Sequence, residues 1–463
     1  MRKMLKRIAA LLLIFCLAAS LAACDEFTGL DAQAMMSPPK TTADRQAIYE
    51  LMRGEETDVT LVYPKSGEYR SAIISRDLNA DGTTEVVGFC MNGESGGVRL
   101  QFMTQDESGA WRLLAQFSAA ANQVDRVFFG DLTGDGREEI VVGWGDPQTA
   151  TASVSVYRMT EDAVQEFSMS TVTYSEMLLT DFDGDDVQEL FIMDIARAGS
   201  GEENAVTVPL GSLYRFDGEQ PYVSQTVPLD SAVTRYSAAV FAQVNSWRKT
   251  VVLDGVKADG RMITQVIGYD AMTERLSSPL SNAGAENPNP TDRDTAVAVT
   301  ARDINGDGVV EIPTALLTAG SGDGASDSTG YTMTWNTYSL SDNTFTPVCD
   351  GIINASENYI VVLPDGAGSI ACSNDSVTRT ATFFRYKWMG SDGTPFGRED
   401  LFAVKVYSEE AWDEYKAEGS EAEDIYLTAM GGRIYVLTVL NPALSADSAM
   451  IRAVCEDFKI LNE

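Results

Sequence analysis

Four short stretches of the chain carry oxygen donors at matching positions. Counting from the first aspartate, positions 1, 3, 5 and 9 are Asp77, Asn79, Asp81 and Glu85 in one stretch and Asp131, Thr133, Asp135 and Glu139 in the next. They are Asp181, Asp183, Asp185 and Glu189 in the third stretch, and Asp303, Asn305, Asp307 and Glu311 in the fourth. When the backbone curls, donors at 1, 3 and 5 converge on one point, a carbonyl can join at 7, and position 9 adds a further oxygen. A hard cation that takes six to eight oxygens is served by such a set. Glycine at position 6 (Gly82, Gly136 and Gly308) permits the left-handed backbone that the curl needs, and Asp186 stands there in the third loop. Position 12, where helix-flanked calcium loops carry a bidentate glutamate, holds Gly88, Val142, Ile192 and Thr314 instead. Chemistry that needs imidazole is excluded, because the 463 residues include no histidine.

The elements that position these donors are strands. Apolar runs flank each loop, as Val127 to Phe129 and Ile140 to Val142 do at the second, which is a hairpin pattern. Alternating pairs follow within each repeat: Gly97 to Phe102 with Trp111 to Leu114, and Val154 to Tyr157 with Val164 to Phe167. Four strands in about 50 residues make one propeller blade. The loops begin at 77, 131, 181 and 303, steps of 54, 50 and 122. The long step leaves room for a degenerate copy, for which Val251 to Val266, with a turn at Asp259-Gly260, is the candidate.

These loops resemble the FG-GAP or VCBS repeats of integrin-type propellers, over roughly residues 60 to 350. The resemblance implies a mainly β fold, a propeller of about five to seven four-stranded blades, with calcium in the hairpin loops and roles in recognition or adhesion. It implies no reaction. Full ligand sets place the Asp77 and Asp303 loops first in expected occupancy; Thr133 weakens the second, and Asp186 strains the turn of the third. The plain alternative is a set of Asx turns on an acidic surface. The expected division is a leader at 1–23, a tether with a short helix at 24–57, the propeller at 58–398, and a small α+β appendage at 399–463.

Arg2, Lys3, Lys6 and Arg7 precede an apolar stretch from Ile8 to Leu21 that is short for a membrane span. Leu21-Ala22-Ala23-Cys24 resembles a bacterial lipobox, in which the chain is cut before the cysteine and the thiol is acylated. Lipidation of Cys24 would place the chain on the extracytoplasmic face of the cell membrane; an ordinary cleavable leader with a chance cysteine is the alternative. Lipoproteins of Gram-positive bacteria with such repeats share a proline-rich tether like Ser37 to Lys40. Removing four positive and no negative charges takes the net charge from −34 to about −38. That field argues against nucleic acid and anionic lipid as partners and favours cations. Cys90, Cys349, Cys372 and Cys455 remain, expected as buried free thiols, with a Cys349–Cys372 bridge as the alternative.

Thr42 to Met52 reads as a helix packed on the propeller flank, and Asp58 to Tyr63 as a strand that completes the last blade. Further strands are expected at 359–363, 381–388 and 401–407. A helix capped by Ser408, a hairpin at Gly431-Gly432, and an apolar stripe of Ile451, Val454, Cys455 and Phe458 make up the appendage. Loops at Asn92 to Gly97, Gly145 to Pro147, Ala198 to Glu203 and Ala319 to Ala325 follow second strands. They therefore emerge opposite the donor loops and, with Trp144, are expected to carry recognition. The leading reading is a binding or adhesion module for a protein or glycan, and not an enzyme. The alternatives are an envelope structural or assembly factor and a carboxylate-based glycan-active enzyme.

Overall fold

Period-two alternation of apolar residues drives strands to stack in layers. The computed structural model describes residues 43–55, 59–92, 96–146, 152–167, 169, 171–195, 209–218, 220–244, 249–270, 273–280, 289–294, 298–315, 330–368, 370–389, 395–419 and 424–461. Cys24, the tether and the helix cap expected at Thr42 lie outside them. Among the described residues the strands form six antiparallel sheets, the blades of a β-propeller with a C-terminal extension.

The first sheet contains β1 (Val59–Leu61), β2 (Ile73–Arg76), β3 (Glu85–Asn92), β4 (Arg99–Gln105) and β5 (Trp111–Ser118). Both β1 and β2 pair with the same edge of β3, Leu61 opposite Cys90 and Ile73 opposite Gly88. The strand expected to complete the last blade is thus the first half of an interrupted innermost strand in the first. Its apolar alternation made it a strand; the partner was set by continuity with β2.

The second sheet is a meander of β6 (Val124–Gly130), β7 (Glu139–Trp144), β8 (Ser153–Met159) and β9 (Val164–Phe167). The third repeats it with β10 (Glu176–Thr180), β11 (Glu189–Asp194), β12 (Leu210–Asp217) and β13 (Gln220–Pro228). The fourth is β14 (Val233–Gln243), β15 (Lys249–Lys257), β16 (Met262–Asp270) and β17 (Arg275–Ser277). In it, the hairpin expected as the degenerate loop joins β15 to β16. It is the second connection of its sheet, whereas the donor loops occupy the first, so it lies at the opposite sheet edge and is no loop copy.

In the fifth sheet, β18 (Ile312–Ala315), β19 (Gly330–Ser339), β20 (Thr344–Asn354) and β21 (Tyr359–Leu363) are joined by the C-terminal β27 (Lys459–Ile460). Its incoming strand is reduced to one bridge, Arg302 to Glu311. The sixth runs β22 (Ala371–Asp375), β23 (Thr380–Met389), β24 (Pro395–Ser408), β26 (Arg433–Val439) and β25 (Asp424–Met430) in spatial order. The division expected at 398/399 falls inside β24, which pairs with β23 on one side and β26 on the other.

Apolar clusters bind consecutive sheets face to face. Phe89 and Phe102 meet Ile140 and Val142; Val154 and Val156 meet Met177 and Leu190; Phe191 and Leu213 meet Val251 and Ile263. Val252 and Val266 then meet Ile312 and Tyr338, and Tyr359 and Val361 meet Phe383 and Phe402. Each such side chain contributes roughly 2 kcal/mol by leaving water. Helix α1 (Ala43–Arg53) buries Ile48 and Met52 against Val86, Cys90 and Met103. Ser408 caps α2 (Glu409–Ala417) through its hydroxyl, and α3 (Ala449–Glu456) buries Ile451 and Val454. Gly431 and Gly432 turn the β25–β26 hairpin with positive φ. All four described cysteines are free thiols, so the Cys349–Cys372 bridge does not form, and burial pushes each of those two thiols up to about 12.

Candidate functional site

Each donor loop is built by one ladder of side-chain to backbone hydrogen bonds, repeated four times. The position 1 carboxylate accepts from the position 6 amide: Gly82 to Asp77 at 3.0 Å, Gly136 to Asp131 at 2.8 Å, Asp186 to Asp181 at 3.1 Å and Gly308 to Asp303 at 2.8 Å. The position 5 aspartate accepts from the position 7 amide, at 2.7 Å for Asp81, 3.0 Å for Asp135, 2.9 Å for Asp185 and 2.8 Å for Asp307. One oxygen of the position 9 glutamate accepts from the position 2 amide: Leu78 to Glu85 at 2.9 Å, Leu132 to Glu139 and Phe182 to Glu189 at 2.8 Å, and Ile304 to Glu311 at 3.0 Å. The carboxylates therefore hold the curl open as well as supplying donors.

The curl needs left-handed backbone twice, at positions 4 and 6. Position 6 has φ of 87°, 82°, 68° and 86° at Gly82, Gly136, Asp186 and Gly308. Position 4 is glycine in three loops, but Ala80 takes φ 60° in the first, a strain that the donor spacing does not reveal.

Position 9 is the buried end of each loop. Glu85, Glu139 and Glu311 have no exposed surface and Glu189 has 2%. Burial raises all four carboxyls, those of Glu189 and Glu311 to about 7. A buried carboxylate calls for a compensating cation, and the four loops meet that need differently. The Arg158 guanidinium donates from Nε to Glu139 Oε1 at 2.8 Å, donates to the Thr133 hydroxyl, and lies 3.5 Å from Asp135. Arg215 Nη2 sits 2.6 Å from Asp183 Oδ2 and 3.1 Å from Glu189 Oε1. In the first loop Glu85 Oε1 meets, among the described residues, the hydroxyls of Thr83 at 3.2 Å and Thr104 at 3.5 Å. In the last, Glu311 Oε1 is buried without a hydrogen-bond partner among the described residues.

Each loop is thus drawn into a curl by its own carboxylates. In the third, carboxylate oxygens of Asp181, Asp183 and Glu189 all lie within 4.8 Å of one another. The loops at Asp77 and Asp303 combine carboxylate and amide oxygens of the kind a hard cation takes, less closely gathered than the carboxylates of the third loop, and among the described residues no basic side chain pairs with them. Arg158 and Arg215 escaped the sequence reading because strand register alone carries them to the loops, from 19 and 26 residues beyond the glutamates. A further expectation changes at the opposite sheet edge. There Trp144 is buried, 6.2 Å from Phe89 in an edge-on ring contact, and belongs to the core more than to a recognition surface. It backs a cavity of about 710 Å³ lined also by Phe117, Asn122, Gly145, Tyr157 and Glu166. Of the four connections expected to carry recognition, residues 93–95, 147–151, 196–208 and 316–329 lie outside the described residues.

Residues 77–142, which span the first two donor loops, match the family of FG-GAP-like repeats. Among solved structures the chain is similar to the one titled "Structure of Dos1 propeller", with 9% identity, a TM-score of 0.27, and coverage of 79% of this chain and 68% of that one. No curated protein matches the sequence.

Proposed function

We propose that this chain is a lipid-anchored binding module displayed on the extracytoplasmic face of the cell membrane, with calcium bracing its hairpin loops. The observation that supports it most is the buried position 9 glutamate of the Asp77 and Asp303 loops, which stands beside further carboxylates that repel it and has no basic partner among the described residues. Such charge concentration destabilises a fold unless a cation answers it, and calcium suits oxygen donors on a curled loop. The leader ending at Ala23-Cys24 supports the address, and no helix among the described residues is long and apolar enough to cross a membrane. Binding rather than catalysis is the role, because the conspicuous carboxylates are engaged in building loops. The partner is a protein or glycan and not nucleic acid, which a net charge of −34 repels.

Recognition is assigned to the segments that follow second strands in the sequence, Asn92 to Gly97, Gly145 to Pro147, Ala198 to Glu203 and Ala319 to Ala325. Replacing these segments with short Asn-Gly turns should abolish retention of the mature chain on isolated cell-envelope preparations while leaving thermal unfolding unchanged. Undiminished retention by a folded variant would contradict the assignment.

A further inference from the structure

The four loops share one ladder but differ in what faces the second oxygen of the buried glutamate. Strand register explains why. The residue after each glutamate pairs with the third strand of its sheet: Val86 with Met103, Ile140 with Tyr157, Leu190 with Tyr214, and Ile312 with Asn336. One residue further along that strand stand Thr104, Arg158, Arg215 and Thr337. The two arginines reach back into their loops and hold the oxygens at positions 3 and 9 that a metal ion would use. Aromatic rings flank both guanidinium groups, Phe167 at 5.4 Å from Arg158 and Tyr269 at 6.0 Å from Arg215. The threonines are too short to do this. Thr104 only approaches Glu85, and the Thr337 hydroxyl turns to the Thr346 carbonyl, leaving Glu311 Oε1 buried with no partner among the described residues.

We propose that the loops are of two kinds: those at Asp77 and Asp303 each take one divalent cation, whereas those at Asp131 and Asp181 are closed by the chain's own arginines and take none. This rests on the reading of the loops as cation sites. A guanidinium within hydrogen-bond reach of the same carboxylates both neutralises them and occupies the space, so an ion would have to displace a positive charge. A third-strand arginine is thereby a specificity determinant: it converts a metal loop into a metal-independent one. The Asp303 loop, whose glutamate oxygen is unanswered, is the tighter site.

Titration of calcium into the mature chain, followed by calorimetry, counts the ions. The wild type is expected to bind two, Asp303→Ala and Asp77→Ala one each, and Asp131→Ala and Asp181→Ala still two. Arg158→Thr and Arg215→Thr should each add one ion, while Arg158→Lys and Arg215→Lys, which keep the positive charge, should add none. Circular dichroism identifies any variant that fails to fold, and the aspartate series then still reads the division. Four ions in the wild type, or calcium loss on changing Asp131 or Asp181, would overturn the division while leaving the cation reading intact. No calcium bound by the folded wild type would overturn both.

Discussion

Ala80 holds the position 4 left-handed turn that glycine takes in the other three loops. For an L side chain that conformation costs about 1–2 kcal/mol, partly offset because glycine has more freedom to lose on folding. Ala80→Gly is therefore expected to raise stability by up to about 1 kcal/mol, read as a higher urea midpoint at unchanged slope. A lower midpoint would show that the methyl group packs usefully. The residue scale is also where sequence was most informative. Donors at positions 1, 3, 5 and 9 are a local pattern, and local backbone curls follow local patterns. Arg158 and Arg215 are not local: each reaches its loop only after the chain has passed through a second strand and a connection of a different length.

Between residues and the whole lie the devices that lock one sheet to the next. The innermost strand of the first sheet is interrupted after β1, and the excursion pairs with the second sheet, Lys65 donating to Val124 O at 3.1 Å and Ser66 to Asp125 O at 2.8 Å. Asp125, nearly buried, accepts from the Ser66 hydroxyl at 2.7 Å, the Tyr174 hydroxyl at 2.8 Å and Arg126 Nε at 2.8 Å. Arg126 extends the network to Glu176 of the third sheet. One carboxylate thus links three sheets, and Asp125→Ala should cost about 3 kcal/mol, since it strands a buried hydroxyl and half-frees a buried guanidinium. Asp125→Asn should cost less. Equal and small losses in chemical denaturation would mean that water replaces the network. None of this was legible beforehand, because Asp125 stands in an ordinary strand sequence. Strand existence is legible at this scale and strand partnership is not: the apolar runs at 359–363 and 401–407 specify strands, yet nothing in those runs shows that β27 would cover β21 or that β24 would stand mid-sheet.

At the scale of the molecule, consecutive sheets are joined by shared apolar clusters, and the C-terminus returns to the fifth sheet. There Arg302, next to the Asp303 loop, donates to the carbonyls of Ile460 at 3.3 Å and Leu461 at 2.7 Å. The last donor loop is thus tied to the end of the chain, so an ion bound there braces the sheet that receives it. Repetition of the loop made the propeller legible, and the fourth sheet, one of two without a donor loop, hid its own register. The central claim is that cations answer the buried carboxylates, and linkage makes it measurable. An ion that binds only the folded chain adds about 2.7 kcal/mol per site at one hundred times its dissociation constant. The melting temperature of the mature chain should therefore rise clearly from chelator to calcium, and Asp77→Ala combined with Asp303→Ala should erase the rise. An unchanged melting temperature in the wild type would contradict the account and leave the loops as acidic turns held by hydrogen bonds alone.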